Sequence, residues 1–389
     1  MREFFVANAR YWMDEYQLDG LRIDAAQNIY DDSAIHILRE ITEAARAAAP
    51  DRAVYIIAED EPQESRLVRP ASAGGMGLDA LWNDDWHHCA MVAATGRDEA
   101  YYADYAGSAT EFVAAARYGF LYQGQWYSWQ GKDRGSPSRD LLPSRFVHYL
   151  QNHDQVANSF RGQRLHELTS PRELRALTAL LLLGPQTPLV FQGQEFAAST
   201  PFLYFADHNP ELMRLVRKGR GEFLAQFPSL ASPEMRALFA DPGDPDTFRR
   251  SKLDHGERER HASVFSLHRD LLTLRREDPV LSMPDEAAVE GAALAPRAFV
   301  LRMTRGKDER LLVVNLGGPV KLARMPEPLL APPATMEWSV RWSSEHPGYG
   351  GLGLPELAPT MEGWSFPGGC AVLFAPTAST IDPDSQERA

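Results

Sequence analysis

Cysteine is nearly absent. The chain of 389 residues holds two, Cys89 and Cys370. Thiols so far apart build neither a disulfide framework nor a zinc ligand set, and both read as reduced and buried. Long apolar runs are missing too. The densest, around Leu180–Leu183, is too short to cross a bilayer. The opening Met1-Arg2-Glu3-Phe4-Phe5 lacks the basic and apolar regions of a signal peptide, so a cytoplasmic location is the expectation. Positive charge is in deficit, with 40 Lys and Arg against 53 Asp and Glu, a net charge of −13. That balance disfavours nucleic acid and anionic membrane as partners. No internal repeat and no long linker interrupts the chain.

What is present is length and alternation. A chain of 389 residues exceeds one ordinary core, so two domains are expected. A helical stripe at Phe5, Ala9, Trp12 and Tyr16 precedes a strand over Gly20–Asp24. Asp32 and Ser33 read as caps for a second helix with Ile35, Leu38, Ile41 and Ala45 on one face. A strand at Val54–Glu59 follows, then further runs at Leu78–Trp82, Phe146–Leu150 and Thr187–Gln192, with helices between them. Strand-helix-strand order in one sheet demands parallel strands. After Asp278-Pro279 the texture becomes short strand-like runs punctuated by Gly and Pro, the pattern of a small antiparallel β domain. The expected layout is an α/β barrel segment over 1–278, a β-sandwich-like domain over 279–376, and a disordered tail over 377–389.

Three acids stand just past apolar runs: Asp24, Glu59 and Asp154. Carboxylates at the C-terminal ends of strands separated by helices occupy the catalytic mouth of a parallel α/β barrel. Side chains alternate along a strand, so Arg22 shares a face with Asp24 and can hold it ionised. Taken alone, that pair is as readily a structural ion pair. Glu59 follows an apolar wall, which raises a carboxyl pKa and suits a general acid, although a helix N-terminal acid fits the same residue. Asn152-His153-Asp154 lies after an apolar strand, where a turn is the plain alternative. Trp86, Trp126, Trp129 and Phe205 offer rings for stacking, with packing the commoner role for each. His87-His88 beside Asp84-Asp85 suggests a metal, but adjacent histidines rarely point the same way, so none is expected. Arg214, Arg217, Lys218 and Arg220 read as a solvated helix face, and Arg249–His261 as charged surface.

These motifs resemble the α-amylase superfamily of glycoside hydrolases. Gly20–Asp24 is similar to its strand-four motif, Ile57-Ala58-Glu59 to strand five, Asn152-His153-Asp154 to strand seven and Gly184–Glu195 to strand eight. Within it, Leu81–His88, Gln151–Asn158, Pro201–His208 and Asp244–Leu253 resemble the malto-oligosyltrehalose trehalohydrolase family. The resemblance implies an incomplete (β/α)8 TIM barrel of about the last five βα units and a C-terminal β domain. It further implies Asp24 as nucleophile, Glu59 as acid/base and Asp154 as transition-state stabiliser. Arg22, Asn152, His153, Trp86, Phe205, Asp207 and His208 are the implied substrate contacts, an α-glucan is the substrate, and no cofactor or metal is needed. The family's strand-three motif is not found before Asp24, so the chain is expected to be the C-terminal part of such an enzyme. Two alternatives stay open: another superfamily member, such as a branching enzyme or amylase, and an inactive glucan-binding fragment.

Overall fold

The computed structural model describes residues 1–159, 161–236, 238–322, 327–353 and 363–378. Among these, β1 (Gly20–Ile23), β2 (Tyr55–Ala58), β3 (Ala80–Trp82), β6 (Phe146–Tyr149) and β7 (Thr187–Leu189) form a five-stranded sheet in the order β1-β2-β3-β6-β7. Every pairing in it is parallel. The register sets Gly20 opposite Tyr55 and Ile23 opposite Ala58. Asp24 and Glu59 therefore leave the sheet at the same level.

Helix α1 (Arg2–Asp14) packs on α2 (Ile37–Ala47) through Val6, Ala9 and Met13. The buried stripe is thus rotated from the expected one, and Phe5 and Tyr16 are exposed. The small Ala9 lets the helices approach, and Ala44 and Ala45 of α2 join the same apolar cluster. The cap of α2 also differs from expectation. Asp31, not Asp32, accepts from the Ile37 amide at 2.6 Å, and His36 Nδ1 accepts from the Leu38 amide. Arg2 reaches across to both Asp31 and Glu40, tying the helix starts together.

Gly20 is demanded by close approach. A Cβ there would stand 2.0 Å from the Tyr55 carbonyl oxygen. Gly20→Ala should therefore force β1 off β2 and cost about 3 kcal/mol, the upper part of the range for overpacking a tight site. Urea unfolding followed by far-UV circular dichroism checks this; a change under about 0.5 kcal/mol would contradict it.

Strands β8 (Ala288–Ala295), β9 (Ala298–Arg305), β10 (Asp308–Asn315), β12 (Met336–Ser343) and β14 (Cys370–Ala378) make an antiparallel sheet in the order β12-β14-β10-β9-β8. One face, with Phe299, Leu301, Leu312, Val314 and Leu373, joins a cluster with α3 (Asp84–Thr95), α4 (Ala109–Tyr118) and α6 (Pro171–Leu183). The other face, with Val300, Val313, Trp338, Val372 and Phe374, packs against Trp364 and Phe366. Burial on both faces explains why Leu311–Val314 reads as a continuous apolar run rather than an alternating one. A short pair, β11 (Val320–Leu322) and β13 (Trp364–Phe366), completes this region. Residues 377 and 378 of the expected tail belong to β14, and 379–389 lie outside the described residues. No helix among the described residues is long and apolar enough to cross a membrane.

Candidate active site

Arg22 organises the strand ends. It extends from β1, and its guanidinium donates to Asp24 Oδ1 with one nitrogen and to Glu59 Oε2 with another. The same oxygen of Glu59 accepts from the Ala25 amide at 3.2 Å. Backbone bonds lock the two strand ends together, Glu59 N to Ile23 O at 2.9 Å and Ala26 N to Glu59 O at 2.9 Å. Arg22 also lies over the Trp82 ring, 4.4 Å from its centroid. Two carboxyl groups and an aromatic face hold this cation in one orientation.

The two acids differ in setting. The Asp24 side chain is 76% exposed and that of Glu59 27%. Burial is the largest cause pushing the Glu59 carboxyl above its ordinary value. Arg22 and the Ala25 amide pull it down, while Asp154 and Asp24 push it up again. Both neighbouring carboxylates thus stand close enough to act on Glu59.

Asp154 arrives on α5 (His153–Ala157), a short helix where a turn was the expected alternative. Asn152 starts it, its side chain accepting from the Gln155 amide at 2.8 Å. That cap employs the Asn152 oxygen, and the residue is 3% exposed. His153 Nε2 stands 3.2 Å from Asp154 Oδ2, and its ring meets the edge of Trp82 at 6.0 Å.

The remaining candidates divide. Trp86 is only 2% exposed and stacks on His148 at 4.8 Å, so its ring is a core element. Phe205 is partly exposed and packs on Phe202 and Phe248. Asp207 and His208 are exposed on the segment entering α7 (Pro210–Leu224), without a described contact to the three acids. His87 and His88 are buried among Tyr101, Tyr102, Tyr105 and Tyr149. Arg220 is not solvated. It donates to Asn158 Oδ1 and Ala157 O and lies over Tyr204, and burial brings its pKa down to about 10. Glu257 is likewise buried, accepting from the Ser199 amide and hydroxyl.

Trp82, Tyr149 and Arg134 were not singled out by the sequence. Tyr149 donates to Asp84. Arg134 is 2% exposed at its side chain, pairs with Glu61, and lies 3.5 Å from Asp85 and 4.0 Å from Asp84. Trp82 and Tyr149 end apolar strands and look like core residues. Arg134 ends a short strand, Lys132–Arg134, in a polar stretch with no pattern to mark it, although Glu61 and Asp84-Asp85 are acids in search of a cation.

Asp60, beside Glu59, is 5% exposed, and burial pushes its carboxyl up to about 6. The folded chain therefore holds this proton more tightly than the unfolded chain. The associated stability is complete below the ordinary carboxylate value and is lost as pH rises through 6. Asp60→Asn should gain about 2 kcal/mol over the parent at pH 7.5 and nothing at pH 3.5. Urea midpoints at the two pH values test this; equal gains at both would contradict the assignment.

The parallel sheet with acids at its strand ends has the arrangement of an α-amylase-type glycosidase. A crystal structure of a candidate α-amylase from Salmonella typhimurium superposes with a TM-score of 0.78 at 31% identity, over 96% of this chain and 60% of that one. The malto-oligosyltrehalose trehalohydrolase of Deinococcus radiodurans is 40% identical over 323 residues, covering 82% of this chain and 52% of the relative. That of Arthrobacter ramosus is 38% identical over 286 residues, 72% of this chain and 49% of the relative. Residues 286–366 match a family described as a domain of unknown function, DUF3459. The chain is thus similar to part of the malto-oligosyltrehalose trehalohydrolases. It spans about half the length of the curated relatives it matches.

Proposed function

We propose that this chain carries the catalytic cleft of a retaining α-glucosidase-type enzyme that releases trehalose from malto-oligosyltrehalose. The convergence of Asp24 and Asp154 on Glu59, with Arg22 shared between Asp24 and Glu59, carries this reading. The names of the relatives supply the substrate class. We place the five parallel strands as consecutive members of a (β/α)8 barrel, with residues after 278 as a supporting β domain. The two buried, reduced thiols favour a cytoplasmic setting.

In this mechanism Asp24 attacks the anomeric carbon while protonated Glu59 gives its proton to the glycosidic oxygen. The α-1,4 bond next to the trehalose breaks, and trehalose leaves. Glu59, now ionised, takes a proton from water, whose oxygen displaces Asp24 and frees the maltodextrin with retained configuration. Asp154 faces the positive charge that develops on the ring. Burial raises the Glu59 carboxyl above its ordinary value, the direction that suits a proton donor. Arg22 donates to Asp24 and fixes its orientation.

Incubation of the chain with maltotriosyltrehalose and with maltopentaose, followed by chromatography, tests the reading. Free trehalose from the first and slow cleavage of the second are expected. Equal cleavage of both would point to another superfamily activity. Binding without cleavage would point to a glucan-binding fragment.

A further inference from the structure

The helix that carries Asp154 is short. With five residues, α5 is too brief to hold a helix by itself, so its setting comes from outside. Its side is fixed at Gln155, whose Oε1 accepts from Tyr101 OH at 3.0 Å and from Tyr102 OH at 3.3 Å. Its C-terminal end is fixed from α7. Arg220 donates to Ala157 O at 2.7 Å and to Asn158 Oδ1 at 3.0 Å. Asn158 in turn gives its backbone amide to the carbonyl of Asp154 at 2.8 Å. A single residue, Asn158, thus links the guanidinium to the backbone of the acid.

This contact is unlike ordinary packing in two ways. The acceptors on Arg220, a peptide carbonyl and a side-chain amide, are neutral, and a buried cation without an anion is costly. It sits, however, where a helix ends and its last carbonyls gather negative charge. A planar donor on two acceptors there fixes both the position and the tilt of the helix. Second, α7 is anchored well away from α5. Leu224 and Phe227 enter the main apolar cluster, Phe227 meets the Tyr101 ring at 5.3 Å, and Ser229 donates to Glu99 through its amide and its hydroxyl. The Asp154 side chain is 43% exposed, so its aim is set through the backbone more than by packing.

We propose that Arg220 is a positioning residue for Asp154: by clamping the C-terminal end of α5 it aims the carboxylate at the charge that develops on the sugar ring. The inference rests on the function proposed above. Arg220 makes and breaks no bond in the reaction, and its effect passes through α5.

Arg220→Ala and Arg220→Lys should be compared with the parent chain, each also in an Asp154→Asn background. On maltotriosyltrehalose and on α-maltosyl fluoride, whose leaving group is a single atom, the Ala variant should lose about a hundredfold in kcat with KM little changed. Lys keeps the charge and one donor and should restore part of the loss. In the Asp154→Asn background the Ala change, read on the fluoride, should cost less than about threefold, because the group it aims is gone. A merely structural contact would cost the same in both backgrounds. Hydrogen exchange of the Val156 and Asn158 amides should be at least about tenfold faster in the Ala variant, with the parallel strands unaltered. Equal losses in the two backgrounds, a loss confined to KM, or unchanged exchange in α5 overturns the inference. If Arg220→Ala does not fold, Asn158→Ala removes one acceptor from the other side of the contact and carries the same comparisons. A parent that cleaves neither substrate overturns the catalytic reading and leaves the exchange comparison to decide the clamp.

Discussion

Asp24→Asn is expected to lower turnover of maltotriosyltrehalose and of α-maltosyl fluoride alike, by at least about a thousandfold. The amide is a poor nucleophile, and no leaving group compensates for that. Glu59→Gln should behave differently. Its loss on the oligosaccharide should be about 10²–10⁴-fold, but fluoride departs without protonation, so formation of the glycosyl intermediate from α-maltosyl fluoride should be largely spared. Release of the first equivalent of fluoride, measured by rapid quench, separates the two roles. A normal burst from the Asn variant would remove Asp24 from the nucleophile position. Folding should not be at issue, because the Asp24 side chain is 76% exposed and its pairing with Arg22 contributes about 1 kcal/mol or less.

Arg134→Ala should have the opposite profile, costing stability first. Its guanidinium is buried against Glu61, Asp85 and Asp84. Burial opposes the charge, but Asp85, Tyr105, Asp84 and Glu61 outweigh it and hold the group protonated. Removing the cation leaves Asp85, which is fully buried, with neutral donors alone: Tyr105 OH and the Leu121 and Tyr122 amides. Breaking a buried ionic cluster from one side costs about 3–5 kcal/mol. Urea unfolding should show this, and Asp85→Asn in the Arg134→Ala background should recover part of it. A loss under about 1 kcal/mol would mean that water replaces the guanidinium.

The sequence made the parallel strands legible because each is a short apolar run followed by a polar residue. The acids stood out because Asp24, Glu59 and Asp154 break such runs at their downstream ends. β8 was not legible. Ala288–Ala295 is rich in alanine and has little strand preference, and it forms because β9 offers a pairing edge. The hairpin of β4 (Gln125–Tyr127) and β5 (Lys132–Arg134) carries no pattern that marks it, since its stability comes from distant partners such as Glu61 and Tyr101. Trp86 misled because sequence position cannot separate a ring on the cleft from one stacked on His148. Arg220 misled because its helix neighbours are solvated, whereas its own guanidinium reaches Asn158.

One apolar cluster runs without interruption from α3, α4 and α6 into the inner face of the antiparallel sheet. Deleting the chain from β8 onward would strip the cover from Phe112, which stacks on Phe299 at 5.5 Å, and from the leucines of α6. A shortened version would be sticky and prone to precipitate, however well its acids were arranged. Glycosidase design that borrows this cleft must therefore carry the second sheet along as ballast.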